Sequence, residues 1–512
     1  MTLPPTLRPG LPVALAVRQL PPPSSVLQLA EPLWRRAHPW LLESSLPGPP
    51  RGRYSFAGAD PYLVLRCFGR RAELEVRRGV RPDLEPGRWR FEADPLDAVR
   101  ACLPGRPACV PDGAPPFCGG AVGVFGYELG GSLERLPPPP VEGLALPDVA
   151  LLFVDRVLAF DHLDRRLFAC GLGFGASAQE AEVRARATAE ALACETRAGM
   201  AAAAPACQPQ PTELPTQAEL EELAASLPVH RDFDEASYAK TVTRILEEIG
   251  AGNVYQACLT QRLTARFDGD ALALHRRLRR LNPAPFAACL ELPGVSVVSS
   301  SPERFLRVSD DGSVESRPIK GTRPRGSIPD EDRALRRALS ASEKDRAENL
   351  MIVDLMRNDL GRVCSVGSVH VPELMAIEPY ATVFQMVSTI RGRLRPGCDA
   401  LDAVRACFPP GSMTGAPKIA AMSLLAHLER CRRGVYSGAL GYLDARGGAD
   451  LSVVIRAVLL EGGRAHVHVG GGIVADSVPE AEYRESMDKA RAQLAALAWE
   501  PRSEVERSRG PV

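Results

Sequence analysis

Neither sign of charge is in excess: 62 lysines and arginines face 62 aspartates and glutamates. That balance leaves no electrostatic footprint for nucleic acid or for an acidic membrane surface. No apolar run reaches the length of a bilayer-spanning helix. The opening stretch MTLPPTLRPGLPVALAV is broken by proline and lacks the basic flank of a signal peptide. The 13 cysteines are scattered, with no CxxC pair and no Cys/His ladder at zinc spacing. Free thiols in a reducing compartment fit that pattern. Also missing are a GxxxxGK[ST] loop, an HExxH helix, a GxSxG elbow and a glutaminase-type cysteine elbow. What remains is a soluble cytoplasmic protein whose 512 residues exceed the usual size of one domain.

Residues 1–190 read as a β-rich first domain, with short apolar segments such as Tyr62–Val64, Ala72–Val76 and Ala150–Phe160 punctuated by Pro, Gly and Asp. Residues 191–232 read as the end of an alanine-rich helix (Ala176–Ala203) followed by an exposed Pro/Gln/Thr linker. From Phe233 strands and helices alternate, giving a second domain over 233–500 and a frayed tail at 501–512. Helices are predicted over Asp234–Ile249 and Pro479–Leu497. Strands are predicted over Asn253–Phe267, Val295–Ser300, Thr382–Leu394, Gly438–Leu443, Leu451–Glu461 and Arg464–Val469. No internal repeat stands out. The pattern predicts an α/β (α+β) sandwich of large, antiparallel sheets with helices packed outside.

Four groups of residues could carry chemistry. Asp345 and Glu348 share one helix face and Glu482 and Glu485 share another, so the two pairs could meet around a hard cation such as Mg²⁺; two solvated faces are the plainer reading. Gly470–Gly472, after the strand His466–Val469, could offer backbone amides to an anion or could form a tight turn. Arg456, in the apolar run Leu451–Leu460, needs a carboxylate from a ligand or from the protein. Glu303 closes a strand in Ser301-Pro302-Glu303, and Lys320 projects from Pro318-Ile319-Lys320-Gly321-Thr322, a loop shaped by proline and glycine. The run Gly411–Lys418 reads as a helix N-terminus, with or without an anion.

In this order the stretches GNVYQACLTQRL, SPERF, RPIKGT, DRAENLMIVDLMRNDLGRV, VPEL, MVSTIRG, GSMTGAPK, SGALGYL, VVIRAVL and GGGIVADSVPEAEYRESMDKARA resemble the chorismate-utilising enzymes. Within them the resemblance is nearest to component I of the aminodeoxychorismate synthase type. Weaker echoes (LLES, GRYSFAGADP, GGAVGVFGYE) lie in the first domain. The resemblance implies an anthranilate synthase component I-like fold. It implies Mg²⁺ held by Glu348 and Glu485 with Asp345 and Glu482 in support. It places chorismate on Arg456, Lys489, Thr414 and the Gly470, Gly471 and Gly472 amides, with Tyr442 lining the site. Lys320 would form a covalent bond at C2 of the ring, and Glu303 would be the acid/base. The lysine form PIKGT goes with amination at C4, giving 4-amino-4-deoxychorismate for 4-aminobenzoate and folate biosynthesis. Anthranilate synthases carry PIAGT. Ammonia would come from a separate glutamine amidotransferase. Gln385 stands where many relatives have histidine, so a proton-transfer role there is not carried over. A tryptophan pocket in relatives would correspond to Glu43, Ser44, Pro285, Phe286 and Ala287. The alternatives are anthranilate synthase component I, isochorismate or salicylate formation, and a non-catalytic aromatic-ligand-binding regulatory subunit.

Overall fold

The computed structural model describes residues 11–46, 52–203, 214–326, 328–380 and 383–499. Two large sheets, each of 12 strands, form the frame. Every pairing within them is antiparallel, as expected from the sequence. The first sheet begins at the edge strand Val13–Leu20 and runs through Trp40–Glu43, Phe286–Leu292, Val295–Ser301 and Ala457–Glu461. It ends on Arg464–Ile473, Gln256–Arg266 and the short His230–Arg231. The second runs from Ile319–Pro324 and Val383–Arg393 through Arg304–Val308, Ala449–Val453 and Ala439–Asp444 to Gly120–Phe125 and the hairpins beyond it.

Both sheets therefore draw strands from both halves of the chain. Trp40–Glu43 pairs with Phe286–Leu292 in one, and Gly120–Phe125 pairs with Ala439–Asp444 in the other. The boundary near residue 200 separates helices but not sheets. The main core lies between the sheets, where Trp40, Phe56, Phe117, Val122, Phe305 and Tyr442 belong to one continuous cluster. Helices cover the outer face of the first sheet. Ala271–Leu281 and Pro479–Ala498 share Leu274, Leu278, Leu494 and Leu497 with the strand residues Val467 and Val469.

Two strands change sheets side by side. Val295–Ser301 leaves the first sheet and continues as Arg304–Val308 in the second; Ala449–Val453 leaves the second and continues as Ala457–Glu461 in the first. Such corners are where packed sheets exchange strands. The corner residues bond to each other, Val453 N–H to Glu303 O (3.0 Å) and Ser300 N–H to Arg456 O (3.1 Å). The single strand predicted over Leu451–Glu461 is thus two strands of different sheets. Arg456 sits in the break with φ of 53°, a conformation uncommon for a side-chain-bearing residue.

Three further readings change. Gly470–Gly472 are not a loop after a strand: they continue Arg464–Ile473, in register with Cys258–Thr260. A Cβ on Gly470 would lie 2.2 Å from Leu259 O, so glycine is there to let the two backbones close. Part of the expected linker, Gln217–Ser226, is a helix started by a Thr216/Glu219 capping box; residues 204–213, like the tail at 501–512 and Thr382, lie outside the described residues. An internal repeat does exist. Asp94–Cys102 and Asp399–Cys407 differ only at Pro95 and Ala400. Each forms a short aspartate-capped helix, and they pair reciprocally: Arg100 with Asp399 and Asp402, Arg405 with Asp94 and Asp97.

Candidate active site

A cavity of about 490 Å³ opens at the corner where the strands change sheets. Glu303 and Arg456 enter it from the two crossing strands, Lys320 from the edge of the second sheet and Gly470–Gly472 from the first. Two helices close it. Glu343–Gly361, capped by Ser342, supplies Asp345 and Glu348; Pro479–Ala498 supplies Glu485 and Lys489.

Lys320 is aimed by a β-bulge. Pairing with Val383–Arg393 slips by one residue between Ile319 and Thr322, so Lys320 and Gly321 together oppose the single residue Met386. Gly321 has φ of 84°, and a Cβ there would stand 2.9 Å from both Asp345 and Leu339. Only glycine fits that turn. The half-buried Lys320 Nζ donates to Ser412 O at 3.3 Å.

Glu303 is buried, and burial raises its pKa to about 7; Ser412, the Lys320 charge and the Ile319 amide offset part of that rise. A carboxyl group poised there can hold or release a proton near neutrality. Arg456 donates to Lys489 O at 2.6 Å and has no carboxylate partner among the described residues. Burial pushes it down from its ordinary value.

On the helices, Glu348 is pushed up, first by burial and further by Glu485 and Asp345. Glu485 is held down by Lys489, its partner at 2.7 Å. Asp345 pairs with Arg323 at 2.9 Å. Glu482 is buried behind the wall, accepting from Ser477 Oγ (2.6 Å) with Lys344 at 3.5 Å. Among the described residues no three acidic, histidine or cysteine side chains already form a metal cage. Two mutually repelling carboxylates on facing helices, with room for outer oxygens, are nonetheless the donor set a hard divalent cation takes. The residues present fit magnesium in that limited sense.

Two predicted residues lie elsewhere. Thr414 is fully buried, and its hydroxyl turns back to Gly411 O at 3.2 Å; Ser412 and Met413 face the cavity instead. Tyr442 stacks on Phe117 with ring centroids 4.5 Å apart and lines a different cavity. Sequence reading also passed over Arg323, Lys344, Tyr436, Ile455 and His468, which line the site. Ser412 lay inside the quoted motif GSMTGAPK and Ile455 inside VVIRAVL; the others lie outside the quoted motifs. Gln385 does line the cavity, and its buried Oε1 has no hydrogen-bond partner.

The second cavity, about 540 Å³, lies between the sheets where the two halves of the chain join. Glu43, Ser44, Pro285, Phe286 and Ala287 all line it. Glu43 is tied to His275 (2.8 Å) and Arg279 (2.6 Å), which hold its carboxyl near 2 against the effect of burial. Ser44 Oγ donates to Pro285 O at 3.0 Å.

The chain and its fold match known proteins. Residues 52–495 match the profile described as chorismate binding enzyme, and the chain belongs to that family. It is 42% identical over 466 residues to an aminodeoxychorismate synthase of Streptomyces griseus, an alignment covering 90% of this chain and 61% of that protein. The chain therefore spans about three fifths of that relative's length. It is also 42% identical over 416 residues to anthranilate synthase component 1 of Streptomyces coelicolor, covering 79% and 77%. Anthranilate synthase component I from Streptococcus pneumoniae superposes with a TM-score of 0.68 at 28% identity, over 88% of this chain and 93% of that one. The fold is of that type. Identity does not separate the two activities.

Proposed function

We propose that the chain aminates chorismate at C4, forming 4-amino-4-deoxychorismate, with ammonia from a glutamine amidotransferase subunit. The observation that carries this reading is Lys320, an amine that donates to a backbone carbonyl and shares the cavity with the buried Glu303 carboxyl. Uncharged, that amine is a nucleophile. Its nitrogen would bond to ring C2, the ring double bonds would shift, and the C4–O bond would break, with Glu303 donating a proton to the departing hydroxyl. Ammonia would then bond to C4, the double bonds would return, and the C2–N bond would break. One hard displacement becomes two easier ones. Arg456 would grip a substrate carboxylate. Glu348 and Glu485, supported by Asp345 and Glu482, would hold a magnesium ion, which supplies positive charge to the ring carboxylate. Lys489 and the Gly470–Gly472 backbone would shape the floor. Anthranilate synthesis is the competing reading, and 42% identity to such an enzyme keeps it in contention.

The test is mass spectrometry of the protein mixed with chorismate, alongside a product assay with chorismate, ammonium and Mg²⁺. A modified Lys320 and a product with no anthranilate fluorescence are expected, and Lys320→Ala abolishes the adduct while retaining chorismate binding. Anthranilate fluorescence without added lyase, or wild-type rates in Lys320→Ala, would overturn the proposal. A further proposal concerns the second cavity: the convergence of Glu43, Ser44 and Pro285–Ala287 supports tryptophan as its ligand. Calorimetric titration with tryptophan checks it, and absence of heat at millimolar ligand rejects it.

A further inference from the structure

The segment Pro409–Thr414 accounts for all of its carbonyl oxygens. Pro409 O accepts from Lys418 Nζ at 2.9 Å and Pro410 O from Met413 N–H at 3.0 Å. Gly411 O accepts from the Thr414 amide and hydroxyl, at 3.3 and 3.2 Å. Met413 O accepts from Arg433 Nη1 at 2.7 Å, and Thr414 O from Cys258 N–H at 2.9 Å. Ser412 O is the one in the run whose donor comes from across the cavity, Lys320 Nζ. The two cations bracketing it are themselves immobilised. Lys418 is bound to Asp359 at 2.6 Å, and the fully buried Arg433 is paired with Glu429 at 2.7 Å and also holds Cys258 O. A backbone carbonyl fixed this firmly is a rigid rest for a flexible lysine.

The side chain of the same residue points at the other reacting group. Ser412 Oγ is buried and lines the same cavity as Glu303; it makes no hydrogen bond of good geometry here, yet it lies close enough to the Glu303 carboxyl to lower its pKa. A buried hydroxyl without a partner is costly unless something completes it. We infer that Ser412 is the positioning residue that holds Lys320 and Glu303 in register, its carbonyl on the amine and its hydroxyl on the carboxyl. Lys418 and Arg433 are the struts that keep its segment in place. This rests on the proposed roles of Lys320 and Glu303, and it adds the residue that sets their mutual geometry. A hydroxyl that donates to the carboxylate favours the ionised form, so its removal raises the pH at which Glu303 loses its proton. The charged group facing Glu303 is Lys320; Arg456 at the sheet corner, His468 on the first sheet, Arg323 on the second, and Lys344, Asp345, Glu348, Glu485 and Lys489 on the helices also line the cavity.

The test needs no chorismate, so it is separable from the reaction proposed above. Lys320 is acylated with acetic anhydride across a pH series, and the modified peptide is quantified by mass spectrometry. In the wild type the rate profile carries an inflection from Glu303, identified by its disappearance in Glu303→Gln. Ser412→Ala is expected to move that inflection upward by about half a pH unit or more, the scale of one lost hydrogen bond. Ser412→Thr, which keeps the hydroxyl, is expected to leave it in place. An unmoved inflection in Ser412→Ala, or an equal displacement in Ser412→Thr, overturns the inference.

Discussion

Glu303 is fully enclosed, and its carboxyl titrates at about 7 because burial penalises the charge. A group raised in this way has its full folded-state advantage below the ordinary carboxyl range, near 4.5. The advantage is lost as the pH rises through 7, because the folded protein must then hold a desolvated charge. Glu303→Gln removes that charge. Its stability relative to the wild type is expected to be flat at pH 4.5 and to grow to about 3 kcal/mol above pH 7. The proposed turnover of chorismate is expected to fall in the same variant. Denaturant titrations at pH 4.5 and 8 check the difference; equal displacement at both would remove the buried charge as its cause. Arg456 belongs to the same scale. Its left-handed backbone and its bond to Lys489 O hold a buried cation that has no carboxylate partner among the described residues.

At the scale of the element, the bulge at Ile319–Thr322 converts an edge strand into a device that turns a lysine inward. Gly321 makes it possible. With φ of 84° and with Asp345 and Leu339 at 2.9 Å from the place of a Cβ, Gly321→Ala incurs backbone strain and a clash together. The expected destabilisation is about 1–3 kcal/mol. Because the clash is with the helix that carries Glu348, chorismate-dependent modification of Lys320 is expected to fall further than stability alone explains. Comparison of melting temperature with adduct yield checks this. PIKGT was readable as a shaped loop, and Lys320 could be singled out from it. That the loop is a bulge depended on pairing with Val383–Arg393, a partner distant in the chain, and no local pattern encodes that slip.

At the scale of the molecule, both sheets are woven from the two halves of the chain, joined at Trp40–Glu43 with Phe286–Leu292 and at Gly120–Phe125 with Ala439–Asp444. The core between them is continuous. Cutting at the composition boundary near residue 200 would expose interior strand edges on both sides. One cooperative unfolding transition is therefore expected, with near- and far-ultraviolet circular dichroism coinciding, and a fragment of residues 1–190 is expected not to fold alone. Two resolved transitions would show the halves to be independent. The repeated helices Pro95–Cys102 and Ala400–Cys407 add reciprocal arginine–aspartate pairs across the same junction.

Local chemistry was legible without coordinates. The run of short strands and helices pointed to antiparallel sheets, three-residue spacing put Asp345 with Glu348 and Glu482 with Glu485 on helix faces, and the ordered motifs led to Lys320, Glu303, Glu348 and Glu485, which line one cavity. Those are properties of neighbours in the chain, where propensity and side-chain type act directly. Whether a glycine run is loop or strand, whether an apolar run is one strand or two, and whether Thr414 or Ser412 faces the ligand were decided only by packing. Gly470–Gly472 close against Cys258–Thr260, and Leu451–Glu461 breaks at a corner between sheets. Tyr442 went to the other cavity because strand alternation there faces it toward Phe117. Each outcome depends on which distant backbone takes up the hydrogen bonds and apolar surface, and that is settled only when the whole chain has folded.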